Sequence, residues 1–113
     1  MGREGGIEKA TSYFKKAIEL AKKAGNNEIL TKGVLSLTKF YVEMGRVEEA
    51  MDLHKSLWDK IGKESMDPDT ILDFADILEA NHEYPRALEI LEDYLEAIEI
   101  LGKTRAMPSI RHY

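Results

Sequence analysis

The sequence predicts an all-α protein, and three observations support this fold class. Apolar residues recur at steps of three and four along most of the chain, which is typical of amphipathic helices. No segment alternates apolar and polar residues with the period of two that strands show. A similar motif, centred on Ala10, Ala50 and Ala87, returns after 40 and then 37 residues. Such a period with helical patterning predicts an α-solenoid of antiparallel helix-turn-helix repeats, with about five helices.

The first two helices are predicted from about Gly6 to Ala24 and from about Glu28 to Met44. Gly25 can end the first helix in the left-handed conformation, and Asn27 can cap the second. In both helices we expect the apolar residues at helical spacing to face the core: Ile7, Ala10, Phe14, Ala17, Leu20 and Ala21, then Leu30, Val34, Leu37, Tyr41 and Met44.

The third helix is predicted from about Val47 to Ile61, after a turn at Gly45. The fourth should run from Pro68 to Ala80, because Asp67 can cap it and proline suits the first helical position. A fifth is predicted from about Tyr84 to Leu101, ended by the glycine that follows. The core positions expected in these helices are Val47, Ala50, Leu53, Leu57, Trp58 and Ile61, then Ile71, Phe74, Ala75 and Leu78, then Ala87, Leu91, Tyr94, Leu95 and Ile98.

The composition limits what the chain can be. Its 113 residues predict one domain over 1–113, helical over 6–101 and ending in a tail over 102–113. The absence of cysteine excludes disulfides, thiolate catalysis and cysteine-ligated metals, and it suits an intracellular, cytoplasmic protein. No apolar run approaches the length of a membrane span, so no membrane partner is expected.

The net charge of −5 is unevenly distributed along the chain. Residues 1–24 carry six Lys/Arg against three Asp/Glu, whereas residues 67–99 carry eleven Asp/Glu against a single arginine. A generic nucleic-acid-binding protein would show the opposite bias over its main surface. The charge distribution therefore argues against nucleic acid as the partner.

A set of large, small and aromatic residues recurs in the two halves of the chain. The matching positions are Val34, Leu37, Thr38, Tyr41, Ala50 and His54, then Ile71, Phe74, Ala75, Leu78, Ala87 and Leu91, preceded by Ala10 and Phe14 as an unpaired second helix. Over residues 6–101 this pattern resembles about two and a half tetratricopeptide repeats, although Val34 and Ile71 stand where the family has tryptophan. The long period is similar to that of the family's long-helix variety.

The resemblance implies a protein–protein interaction scaffold or adaptor that binds a peptide or partner helix in a concave groove. The implied groove residues are Lys32, Leu35, Ser36, Lys39, Glu43, Asp69, Leu72, Asp73, Asp76 and Glu79. Asp73 and Asp76 contradict the cationic clamp with which some members of the family hold a peptide carboxylate. An acidic wall with Leu35 and Leu72 suits a basic, partly apolar segment instead, and the chain's own tail over 103–113 is one such segment.

No arrangement of residues predicts catalysis or a cofactor. The three histidines lie in different segments without metal-ligand spacing, and His54 is expected to pack between helices. Asp69, Asp73 and Asp76 could form an acid–base pair or a cation site, but no nucleophile, base partner or calcium-loop pattern accompanies them. We therefore expect a non-enzymatic protein without metal or cofactor. The plain alternative to a binding site is a solvated acidic face.

Two other functions remain open. The unpaired first helix leaves an apolar face, which favours a structural segment of a longer solenoid that self-associates as a homo-oligomer through this helix, around Phe14. The motifs at 45–50 and 67–69 also resemble pentatricopeptide repeats, which bind single-stranded RNA. Against this second hypothesis, the interval from Ala50 to Pro68 exceeds that family's compact spacing, and the acidic fourth helix would repel phosphate.

Overall fold

The computed structural model describes residues 2–62 and 65–106, with side chains over 6–62 and 65–102. This part of the chain is all-α and contains five helices and no strand. The helices are α1 (Gly2–Ala24), α2 (Asn27–Glu43), α3 (Val47–Ile61), α4 (Pro68–Ala80) and α5 (Tyr84–Ala106). The predicted fold class and helix number are confirmed, whereas the solenoid arrangement and the single domain stay predictions.

The bounds of α3 and α4 are those predicted, but the end of α5 is not. The predicted end at Leu101 is wrong, because α5 continues through Gly102 to Ala106. A glycine inside a helix destabilises the helix by only about 1 kcal/mol relative to alanine, so the helical residues on either side of Gly102 can offset this cost. The predicted tail therefore loses its first residues to α5, and its remainder over 107–113 lies outside the described residues.

Polar side chains and a glycine define the start and the end of α2. The cap is Asn26 rather than the predicted Asn27: its backbone is extended, and its side chain accepts a hydrogen bond of 3.0 Å from the amide of Ile29. After α2, Gly45 adopts φ 81°, a left-handed conformation that a β-carbon would strain. This turn lets the amide of Arg46 donate to a carbonyl of the last helical turn.

The chain divides into two compact units, and the first, Met1–Leu57, contains α1, α2 and most of α3. Here α1 packs against α2. The rings of Phe14 and Phe40 lie 5.9 Å apart between centroids, and a β-carbon added to Gly33 would lie only 3.2 Å from Cγ1 of Ile18. These contacts run in opposite order along the two helices, so α1 and α2 form an antiparallel pair with close approach at Gly33.

The second unit, Trp58–Tyr113, contains the end of α3 and the α4–α5 pair. The predicted core face of α4 is confirmed, since the four residues predicted for it are all buried: Ile71, Phe74, Ala75 and Leu78. Between α4 and α5 the chain turns at Asn81 and His82, and His82 takes the positive φ of 62° that glycine would otherwise supply. Asn81 Nδ2 donates to the carbonyl of Ile77, and His82 Nδ1 lies 3.0 Å from the hydroxyl of Tyr84.

The core face of α1 differs from the predicted one. Apart from Ala10, its buried or half-buried residues follow a strict alternation of four- and three-residue steps and are Ile7, Thr11, Phe14, Ile18 and Ala21. The predicted core members Ala17 and Leu20 are exposed, and the predicted Ala10 is only half-buried. The prediction merged two parallel stripes of α1, because both contain apolar residues at helical spacing.

The same correction applies to α5. The residues on its core side follow the same alternation and are Ala87, Ile90, Tyr94, Ala97 and Leu101. Leu95 and Ile98 were predicted to be buried, but they are 62% and 40% exposed. Leu91 is half-buried at the border between the two stripes. α5 therefore carries a core stripe and a second apolar stripe beside it.

The predictions for α2 and α3 hold at most positions. The predicted core residues of α2 are buried except Met44, which follows the helix and is 42% exposed. In α3 the predicted Ala50 is 1% exposed, and His54, expected to pack between helices, is 2% exposed. The other predicted core residues of α3 divide into a buried pair and a half-buried set: Val47 and Leu57, then Leu53, Trp58 and Ile61.

The cap of α4 yields a testable prediction. Asp67 Oδ1 accepts a hydrogen bond of 3.0 Å from the amide of Asp69. Asp67→Ala leaves that amide without its acceptor and should lower the free energy of unfolding by about 1 kcal/mol, measured by urea titration. Asp67→Asn keeps an acceptor and should behave like the parent. Equal midpoints for the parent and Asp67→Ala would show that the cap contributes nothing.

Candidate functional site

The predicted groove residues of α2 lie on its solvent-facing side. Lys32, Ser36, Lys39 and Glu43 are exposed, and Leu35 is half-buried among them. They interleave with the buried positions of the same helix, as expected of an amphipathic helix. Lys32 forms an exposed ion pair of 3.9 Å with Glu28, one turn earlier. Such an exposed pair contributes little to stability.

The predicted groove residues of α4 form the second set, named here the acidic face. Its exposed members are carboxylates at helical spacing, and one half-buried leucine lies among them: Asp69, Asp73, Asp76, Glu79 and Leu72. This face lies beside the buried stripe that packs in the second unit. The structure therefore brings each set together on its own helix. That the two sets line one groove stays a prediction.

The charges of the acidic face act on Asp73. Its side chain is exposed, yet the surrounding protein removes enough water to raise the pKa of its carboxyl above 3.8. The carboxylates of Asp76 and Asp69 raise this pKa further, and Asp67 adds to the effect. Since the folded state disfavours the charge, Asp73 opposes folding above its raised pKa, and this opposition disappears as the pH falls through that pKa to below 3.8. A cation bound at this face would relieve the cost.

Two apolar surfaces were not predicted as sites. The outer stripe of α1 is defined here as Ala10, Tyr13, Ala17, Leu20 and Ala24, of which Tyr13 and Leu20 are 65% and 59% exposed. The outer stripe of α5 is defined here as Tyr84, Leu88, Leu91, Leu95 and Ile98, all exposed except the half-buried Leu91. Both stripes could have been predicted from the sequence, because each of the two helices contains a second set of apolar residues at steps of three and four.

Other features of the described residues point to no further chemistry. A hollow of about 290 Å³ in the first unit is lined by Gly6, Ile7, Phe40 and Met44, and it offers apolar contact with little polar surface. Among the side chains described over 6–62 and 65–102, no group of three or more acidic or histidine residues is placed to hold a metal ion. Over the same part of the chain, no helix combines the length and the apolar character that crossing a bilayer requires.

Comparison with models of known protein families, with curated proteins and with solved structures finds no match to this chain. The resemblance to tetratricopeptide repeats therefore depends on the residue pattern alone. Its fold class agrees with the five observed helices. The family assignment itself stays a prediction.

Proposed function

We propose that this protein is a non-enzymatic interaction module that binds a basic, partly apolar peptide segment of another protein, as an intracellular scaffold or adaptor. The observation that carries the proposal is the acidic face of α4. Burial and repulsion from the neighbouring carboxylates raise the pKa of Asp73, and these exposed carboxylates lie beside a half-buried leucine. A segment with Lys or Arg beside an apolar side chain would satisfy both features.

In tetratricopeptide arrays the first helix of each repeat lines the concave binding surface, and the residue pattern of α4 resembles that of such a first helix. The basic residues predicted as a built-in ligand, Lys103, Arg105 and Arg111, lie outside the described side chains, so the proposal does not depend on them. An acidic surface would also repel the phosphates of RNA, which makes the pentatricopeptide-like alternative the weaker one.

The test is a charge reversal on the acidic face. Asp73→Lys with Asp76→Lys should weaken binding of a short peptide containing Lys, Arg and Leu by at least about tenfold at low salt, because attraction becomes repulsion. Binding is measured by fluorescence anisotropy, and helicity by circular dichroism. The matched control is Asp52→Lys with Asp59→Lys, which makes the same change in net charge at exposed positions of α3.

Two outcomes would contradict the proposal. One is a double reversal on α4 that binds the peptide as tightly as the parent does. The other is an equal loss in the α3 control, which would mean that only net charge matters. If the proposal is right, binding should also weaken as the pH falls through the raised pKa of Asp73, because protonation removes one of the attracting charges.

A further inference from the structure

The outer stripe of α1 has a basic border. Its apolar residues recur at the three- and four-residue steps by which helices pair side by side. One edge adjoins the core of the first unit. Lysines stand on the other edge, each one residue before an alanine of the stripe, and all are exposed: Lys9, Lys16 and Lys23. Glu19 interrupts this border, but it forms an ion pair of 3.7 Å with Lys22.

The outer stripe of α5 has the opposite border. One of its edges adjoins the core of the second unit. On the other edge a glutamate follows each aliphatic residue of the stripe: Glu89 after Leu88, Glu92 after Leu91, Glu96 after Leu95 and Glu99 after Ile98. Three of the four are exposed, and Glu96 is half-buried. The two stripes therefore match in spacing and apolar character, and their borders are complementary in charge.

The order of the borders also specifies an orientation. The lysines precede the stripe of α1, and the glutamates follow the stripe of α5. In a parallel helix pair, the residues that directly precede the apolar positions of one helix face the residues that directly follow the apolar positions of the other. Charges at these two borders select the partner helix and its direction. Parallel pairing of α1 with α5 therefore places lysines against glutamates. An antiparallel pair of two α1 helices would place lysines against lysines. An antiparallel pair of two α5 helices would place glutamates against glutamates.

We infer that this protein assembles with copies of itself, head to tail, by packing the outer stripe of α1 of one copy, in parallel, against the outer stripe of α5 of the next. The interface is heterologous, so an open assembly keeps one free α1 stripe at one end and one free α5 stripe at the other, until it closes into a ring. The inference goes beyond peptide binding and uses none of the acidic face of α4. It replaces the expectation of self-association around Phe14, which lies on the core side of α1.

The test uses two variants that each lose one stripe. The first carries Tyr13→Glu and Leu20→Glu on α1, and the second carries Leu88→Glu and Leu95→Glu on α5. All four positions are exposed in the parent, so helicity by circular dichroism should be unchanged. Sedimentation velocity should show concentration-dependent association of the parent, and monomers for each variant alone. A one-to-one mixture should form a dimer, because the intact α5 of the first variant can bind the intact α1 of the second.

Each of the following outcomes would contradict the head-to-tail assembly. A parent that stays monomeric up to its solubility limit excludes the assembly. Association of the α1 variant alone would indicate pairing through α5 with itself, and association of the α5 variant alone would indicate pairing through α1 with itself. A mixture that stays monomeric would refute the heterologous contact. None of these outcomes changes peptide binding at the acidic face, so the two proposals fail separately.

A charge exchange tests the borders. Lys9→Glu with Lys16→Glu should weaken self-association by at least about tenfold, because attraction across the seam becomes repulsion. Glu92→Lys with Glu99→Lys should do the same, and mixing the two variants should restore association. The control, Lys55→Glu with Lys60→Glu, makes the same charge change at exposed positions of α3 and should leave association within about twofold of the parent. Failure of the mixture to recover would overturn the assigned borders.

Discussion

Replacing Phe74 by alanine is expected to lower the free energy of unfolding by about 3–5 kcal/mol. Phe74 is 1% exposed and is the largest of the fully buried side chains of the chain's described part. Its removal takes a ring from the core of the second unit, where neighbouring side chains can fill the space only partly. A small domain is stabilised by only about 5–15 kcal/mol in total, so much of its stability would be lost.

The measurement is a urea titration followed by circular dichroism, with the parent and the variant at the same protein concentration. Ile29→Ala is the control, because it also truncates a large apolar side chain in a helix but at a site that is 54% exposed. The control should change stability by less than about 0.5 kcal/mol. If Phe74→Ala lost no more than Ile29→Ala, the packing of α4 in this structure would be wrong.

Replacing Ala50 by leucine is expected to cost about 1–3 kcal/mol by overpacking. Ala50 is 1% exposed within α3, between the buried residues Val47 and His54. A larger side chain there must displace its neighbours, and a dense protein interior yields only with strain. This effect has the opposite origin to that of Phe74→Ala, since volume is added rather than removed.

The matched control for this second change is Ala80→Leu at the exposed end of α4. Both substitutions replace one good helix former by another, so a difference between them reports on space rather than on helix propensity. Thermal unfolding should show a lower melting temperature for Ala50→Leu only. A melting temperature that stays the same or rises would mean that free volume lies beside Ala50, contrary to a close helix contact.

The helix α4 shows how much of this fold could be predicted from residue pattern. Asp67 and Pro68 mark its start, a polar turn marks its end, and one apolar stripe leaves no doubt about its core face. The acidic face could be predicted as well, because the positions of an amphipathic helix that do not face the core must face solvent. For the same reason the solvent side of α2 could be predicted, including the exposed lysines of its candidate site.

The helices α1 and α5 show why the rest could not be predicted. Each carries two adjacent apolar stripes, and both stripes satisfy the same helical spacing. Which stripe becomes the core depends on the shape of the helix that packs against it, as at Gly33 for α1, and residue spacing alone does not encode this. Two predicted helix ends were also wrong. Either of two consecutive asparagines could cap α2, and Gly102, a typical residue at a helix end, lies within α5.

Gly33 also bears on the order in which the first unit forms. A glycine makes α2 a poorer helix by about 1 kcal/mol when the helix stands alone. Because Gly33 has no side chain, Ile18 of α1 can pack close to the backbone of α2. The helix-propensity cost of Gly33 is therefore offset only after α1 has docked. Formation of α2 and docking of α1 should therefore be one event during folding, because α2 alone is a weak intermediate and the antiparallel pair is the smallest part that can persist.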